Sequence, residues 1–417
     1  MFQLNLRLKM SEFINNNQAR IDSLYDFCYR LTIGEKGSDL IKAHQAAIND
    51  LTANDIIIVV HRLVEADLPM DDLKIGINKA LNAFHKQIMN LEPIFLPENH
   101  FLAYLKKENR ELERRLQNLK SWVKDFNSPN LDSIKAAEHL RVGIEDLMQM
   151  EKHYVRKENI LFPYFEKEYP KYKCLGVMWS IHDDIRRTKK ALMLALLEVD
   201  LDKKHINKLL GDLFFDMYTI IFREEYLLFP VVLNAVNKEV WSDMIHQSEE
   251  IGYAYIEAPK VEELVKHVKT ETLDTDYLNE HKLENTLLNF DTGLMTLKQA
   301  ILLLNNLPVD ITMIDENDKV CFFSNPKDRF FPRSKAIIGR TVQNCHPPES
   351  VHIVEELVQA FKDGSKDSEP FWIEMKGSFI LIQYFALRDE QGVYKGCIEV
   401  SQDLTDIRKL SGEKRLM

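Results

Sequence analysis

Two stretches decide the fold: HYVRKENILFP at residues 153–163 and IIFREEYLLFP at residues 220–230. Arg, Glu, Leu, Phe and Pro recur at matching places. The two segments therefore read as helices related by an approximate two-fold, with Glu158 matched to Glu225. Symmetric carboxylates are what two bridged metal ions need. The repeat breaks at one place that matters, because His153 faces Ile220, which cannot bind metal.

Outward from the repeat, residues 93–255 read as helix throughout. Breaks fall near Ser128–Pro129, between Pro170 and Gly176, and between Asp200 and Lys204. The spacing predicts four long helices at about 98–126, 131–168, 175–198 and 204–236. A shorter one, EVWSDMIHQSEEIGY, follows them. Four long helices with short connections fit an up-down bundle. Imidazoles and carboxylates are spread over all four: His100, then His153 and Glu158, then His182, then Glu224 and Glu225. These groups hold iron, manganese or zinc, and donors facing inward from separate helices build the metal core of such bundles.

Each candidate has a plainer reading. His153 and Glu158 are five residues apart, roughly 140° and ~7.5 Å on an ideal helix. They share a metal only if it sits between their directions or if Pro163 distorts the helix; otherwise Glu158 is a surface partner for Arg156. The repeat favours Glu225 over Glu224. Glu108 lies roughly 12 Å along the axis from His100, which favours a salt bridge over a ligand role. His61 with Glu65, His85 and His139 read as solvated faces. The Leu and Phe of the two LFP segments read as core that keeps the site dry.

The flanks complete the organisation. Residues 1–19 read as an extension. Residues 20–92 read as short helices that pack on a neighbour or on a second copy, with Thr52 and Asp55 as a capping box. Residues 256–299 read as a linker with some helix. Beyond residue 300 the period changes: two strands in DITMIDENDKVCFFS, a helix in ESVHIVEELVQAFKDG, then strands in EPFWIEM, GSFILIQYFALRD and YKGCIEVSQDLT. The expected fold is thus multidomain and mainly α, followed by a small α+β domain at 300–412.

The bulk numbers exclude several classes. The 417 residues carry 54 basic and 65 acidic side chains for a formal charge of −11, with no dominant basic tract, so nucleic-acid binding is not expected. No apolar run is long enough for a membrane span or, at the start, for a signal peptide. Five scattered cysteines without a CxxC favour a reducing cytoplasm. No nucleophile–base pair, phosphate loop or kinase signature is visible, so a role without turnover is expected.

These segments resemble known families. NDIIIVVHRLVEADLPMDDLKIGINKALNAFHK makes residues 20–92 similar to the domain of unknown function DUF438. ENHFLAYLKKENREL, HYVRKENILFPYFEK, VMWSIHDDIR and FREEYLLFP make 93–255 resemble a hemerythrin-like (HHE cation-binding) domain. LPVDITMIDENDKV, IIGRTVQNCHPPESV, FWIEMKGSFILIQY and GCIEVSQDLTDI make 300–412 resemble a PAS domain. The resemblance implies a mono- or di-iron site that binds or responds to O2, NO or peroxide. His100, His153 with Glu158, His182, and Glu225 or Glu224 take the ligand places. Hemerythrins carry five histidines; three can be placed here, with Thr219 and Ile220 at the fourth-helix position and Arg186 one turn after His182. The resemblance implies a sensor or regulator that dimerises through its PAS domain, whose pocket either binds a small molecule or is filled with side chains and serves only for dimerisation. Its output would pass to a signalling protein, and the PAS ligand is unspecified. Cys345 and His346 read as a structural turn rather than a haem or thiol site. The rival readings are an iron-handling, iron–sulfur-repair or peroxide-reducing protein, and a metal-free scaffold.

Overall fold

The computed structural model describes residues 2–129, 132–259, 286–290, 292–327, 329–375 and 377–414. The chain divides into two compact units at residues 259/260.

In the first unit, α1 (Phe2–Thr32) runs unbroken through the expected boundary at residue 20. Short helices α2 (Gly37–Ala43) and α3 (Gln45–Asn49) follow it. In α4 (Ala53–Val64), Thr52 accepts from the Asp55 amide and Asp55 accepts from the Thr52 amide, the reciprocal capping the sequence predicts. Arg20 of α1 then ties Asp55 down at 2.8 Å. In α5 (Met70–Met89), Gly76 lets the helix press on α1, because a β-carbon there would meet the Thr32 backbone at 2.8 Å. This N-terminal layer packs on the bundle through Lys74–Asp184 (2.6 Å), Arg223–Asn78 (2.7 Å) and Tyr169–Asn54 (2.6 Å). His61, expected on a solvated face, is buried at this seam and accepts from the Lys173 amide.

The bundle consists of α6 (Phe101–Asn127), α7 (residues 133–168), α8 (Cys174–Ala195) and α9 (residues 203–235), with α10 (Val240–Ile251) against them. Asp132 and Asp202 cap α7 and α9 by accepting from amides two and three residues on. Leucine, isoleucine and phenylalanine fill the interior, among them Leu161, Phe162, Leu228, Phe229 and the fully buried Ile220. Both halves of the repeat contain a π-turn, at Lys157–Leu161 and Glu224–Leu228. The cause is visible in the sequence. Pro163 and Pro230 offer no N–H to the carbonyl four residues back and their rings crowd it, so the preceding turn widens.

In the second unit, the expected linker falls mostly outside the described residues. Its described end forms a hairpin, β1 (Leu287–Asn289) with β2 (Leu294–Thr296). The helix α11 (Leu297–Asn306) follows. The remainder is a five-stranded antiparallel sheet in the order β4-β3-β7-β6-β5, formed by β3 (Asp310–Asp315), β4 (Val320–Phe323), β5 (Ser368–Met375), β6 (Ser378–Arg388) and β7 (Tyr394–Asp403). The helix α12 (Pro348–Asp363) ends at Gly364 in the left-handed conformation and seats Phe361 in the core. Every strand and the helix read from the pattern beyond residue 300 are present.

Candidate functional site

The bundle interior holds a buried polar cluster fed by all four long helices. From α7, His153 bonds Glu108 of α6 through Nδ1 (2.8 Å) and meets Glu224 of α9 through Nε2 (3.2 Å). From α8, His182 bonds Glu158 through Nδ1 (2.7 Å) and meets the Lys157 ammonium through Nε2 (2.9 Å). Lys157 in turn donates to the other oxygen of Glu224. Arg156 donates to Glu108, and Arg186 to Glu158 at 2.9 Å. Asn109 donates to Glu224 at 2.9 Å. The Tyr154 ring stacks on His182 with centroids 4.4 Å apart.

Lys157 is the residue that sequence reasoning missed. It aligns with Glu224 in the repeat, as Glu158 aligns with Glu225. The approximate two-fold therefore brings Lys157 and Glu224 face to face as an ion pair at the centre, both fully buried. The signal was in the alignment already drawn, one residue before the pair it favoured.

Three expectations need correction. Glu225 lies to the side, accepting from Asn109 at 3.2 Å and paired with the half-exposed Arg110, whereas Glu224 takes the inner place. Glu158 stands behind His182 and pairs with Arg186, not Arg156. His100 is not brought to the cluster. It caps α6, where its Nδ1 accepts from the Leu102 amide at 3.1 Å, and its ring lies 4.5 Å from Trp241. The axial distance from His100 to Glu108 explains this, since Glu108 is the α6 residue at the level of the cluster.

The charges settle accordingly. Burial pushes Glu224 up, but Lys157 and His153 outweigh it and hold its carboxyl at about 2. Burial raises Glu158 to about 7 against the pull of Arg186. Burial also drives His182 well below the usual imidazole range, which favours the neutral ring. With Nδ1–H donated to Glu158, its Nε2 lone pair is free to accept.

Lys189, on α8, is buried and donates to the Leu147 carbonyl at 3.4 Å, and burial lowers it to about 8. The unfolded chain keeps that proton up to about 10.5. Between those values the unfolded state holds more protons, so stability rises with pH; below about 8 the cost of the buried charge is full. Lys189→Met should therefore stabilise the helical unit by about 1–3 kcal/mol at neutral pH. Melting curves at pH 7 and 10 should show the advantage shrinking at the higher pH.

By type, His153, His182 and Glu224 are the side chains of this cluster that could hold a metal ion. A metal-bound histidine typically gives its other ring N–H to a carboxylate, and His153 and His182 both hold Nδ1 within hydrogen-bond distance of one. The Nε2 atoms are then turned towards Glu224, one directly and one through the Lys157 ammonium. The fourth-helix place opposite His153 is Ile220. No group of three or more His, Cys, Asp or Glu side chains among the described residues is placed closely enough to ligate an ion.

The second unit contains a cavity of about 270 Å³. Ile314, Leu357, Phe361 and Ile382 form its apolar wall. At one end Glu399 accepts from Tyr384 at 2.9 Å and from Arg333 at 3.4 Å. Cys345 and His346 border the cavity.

Comparison with known proteins agrees with this division. Residues 100–232 match the family model of the hemerythrin HHE cation binding domain, and residues 301–405 match that of the PAS domain. The chain thus carries a hemerythrin domain within its helix-rich first part, then a PAS-like domain. No curated protein matches it. Among solved structures, a C-terminal domain from Streptococcus mutans is 28% identical, covers 31% of this chain and 99% of its own, and has a TM-score of 0.30. The PAS domain of a protein from Colwellia psychrerythraea is 20% identical over 26% of this chain and 98% of its own, with a TM-score of 0.22. The PAS domain from Bordetella pertussis BvgS is 18% identical over 27% and 92%, with a TM-score of 0.23.

Proposed function

We propose that this chain is a sensor or regulator in which the hemerythrin-like bundle holds one metal ion, iron in the first instance, at His153, His182 and Glu224, and the PAS domain relays its state or dimerises. The observation that carries this reading is the paired orientation of the two imidazoles. His153 and His182 each hold Nδ1 against a buried carboxylate, Glu108 and Glu158, and each turns Nε2 towards Glu224, directly or through the Lys157 ammonium. Two imidazoles and one carboxylate with open positions form the donor set of non-haem iron sites that meet O2. Bound there, iron would supply a vacant position for O2, NO or peroxide and a one-electron redox change.

The chain's own residues do the rest. Leu161, Phe162, Leu228 and Phe229 keep the interior dry. Arg156 and Arg186 pair with the two supporting carboxylates and offset part of the cost of burying them. The DUF438-like layer at 20–92 presses Lys74 and Asn78 onto α8 and α9, a route by which a change in the bundle can reach the surface. Among the described residues no helix is long and apolar enough to cross a membrane; a cytoplasmic setting belongs to this reading.

The metal-free scaffold is the second reading, favoured by the Lys157 ammonium lodged among the donors. Elemental analysis of protein purified without air, with optical spectra before and after exposure, separates the two. One metal per chain with a spectrum that changes on exposure is expected. Two fully occupied sites, or none after loading with ferrous iron, would refute the proposal. Catalytic consumption of peroxide would instead favour the iron-handling or peroxide-reducing alternative.

A further inference from the structure

We infer that Lys157 is a tethered counter-ion that takes the metal's place in the metal-free protein and must be displaced when an ion binds. The inference rests on the single-ion reading above and adds a residue that the hemerythrin comparison does not assign.

Position is the first argument. The Lys157 nitrogen contacts Glu224 and lies 2.9 Å from His182 Nε2, and Glu224 lies 3.2 Å from His153 Nε2. All three atoms proposed as metal donors are thus gathered on one ion pair.

Charge is the second. Glu108, Glu158 and Glu224 are buried carboxylates, and each already has a cation of the chain: Arg156, Arg186 and Lys157. A dication added without moving Lys157 would face an ammonium whose paired carboxylate it had just taken. Buried like charges without a compensating partner are strongly unfavourable. The ammonium and the metal therefore exclude each other.

Symmetry is the third. The two-fold that relates α7 to α9 would place like residues at 157 and 224. The chain places opposite charges there, so the pair is self-neutralising when no metal is present.

The consequence is a site that stays folded in both states. The ion-free interior is not a set of repelling carboxylates, so metal is not needed as a structural staple of the kind small zinc domains use. Metal binding becomes an exchange of one cation for another, with the lysine side chain moving as it occurs. That movement starts in the π-turn, the least regular part of α7.

The test is a titration of metal-free full-length protein with Co(II), whose visible spectrum reports on its ligand environment, for wild type, Lys157→Met and Lys157→Arg. Lys157→Met should bind one ion about tenfold or more tightly than wild type, and its metal-free form should melt lower, with the loss recovered on loading. Lys157→Arg should bind no better than wild type. Lys157→Gln replaces the Met variant in the titration if the latter does not fold, with the same tighter binding expected. Equal affinities and spectra in wild type and the neutral variants would overturn it while leaving the one-ion site standing. No binding by any of them would overturn the inference together with the metal reading it rests on.

Discussion

Replacing Glu108 with alanine is expected to lower the stability of the helical unit by about 3–5 kcal/mol. Glu108 is wholly buried and takes three donors: His153 Nδ1 at 2.8 Å, the Arg156 guanidinium, and the Ala254 amide at 2.6 Å. Alanine leaves Arg156 as an uncompensated charge in a place that water does not reach. It also releases His153 and frees the chain segment after α10 that the Ala254 amide anchors. The loss comes from the stranded guanidinium more than from the missing bonds, and this gives the prediction its control. Arg156→Met in the same chain should recover much of the stability, since a buried ion pair can often be exchanged for apolar side chains at little cost. Glu225→Ala is the contrasting case. Its partner Arg110 is half-exposed, so its loss should be about 1 kcal/mol or less. Denaturant unfolding followed by helical ellipticity measures all three. Equal losses for Glu108→Ala and Glu225→Ala would show that the cluster is not the dry, charge-paired interior described.

How far the sequence foretold this cluster depends on which physical rule governed each residue. The bundle and the sheet follow from periodicity and turn chemistry, which are local, so both were legible. His153 and His182 were legible as inward donors because few other reasons place imidazoles on the apolar faces of two helices. Glu108 was assigned its supporting role by axial distance alone, since helix rise is the same in any context. The same rule excludes His100 from the level of Glu108, but a histidine next to a predicted helix start also has the option of capping it, and the shared donor type concealed that option.

Which fourth-helix carboxylate faces the cluster was less legible, for a different reason. Sequence alignment of the repeat shows which residues are equivalent but not which face the interior. The π-turns at 157–161 and 224–228 set the facing, and they arise because each proline removes a hydrogen bond four residues upstream. The motif LFP was read as core, whereas its proline also determines which neighbour of the preceding glutamate points inward. Lys157 was passed over because lysine is almost never fully buried unless paired. Its pairing partner is Glu224, 67 residues away, and no local pattern joins them. The cavity of the second unit was hidden in the same way, because a side-chain-filled interior and a hollow one use the same alternating strands.

The assignment of the inner carboxylate has the largest expected consequence for metal binding. Glu224→Gln should weaken binding by about 10³-fold, the equivalent of roughly 4 kcal/mol for removing one charge from a buried opposed pair. Glu225→Gln should change it by only a few-fold, because Glu225 shares Asn109 and Arg110 but touches neither imidazole. A loss of affinity could also arise if Glu224→Gln simply loosened the bundle, since it strands the Lys157 ammonium. The double variant Glu224→Gln with Lys157→Met separates these causes: it removes both charges and should melt near the wild-type temperature, yet still bind metal poorly. Titration with ferrous iron under argon, beside thermal melts of the metal-free proteins, gives both readouts. If Glu225→Gln proved the weaker binder, the carboxylate favoured by the repeat alone would be the ligand, and the π-turn would have no part in orienting the site. If the double variant regained both stability and affinity, the site would need no fourth-helix carboxylate, and the two imidazoles would hold the ion with water.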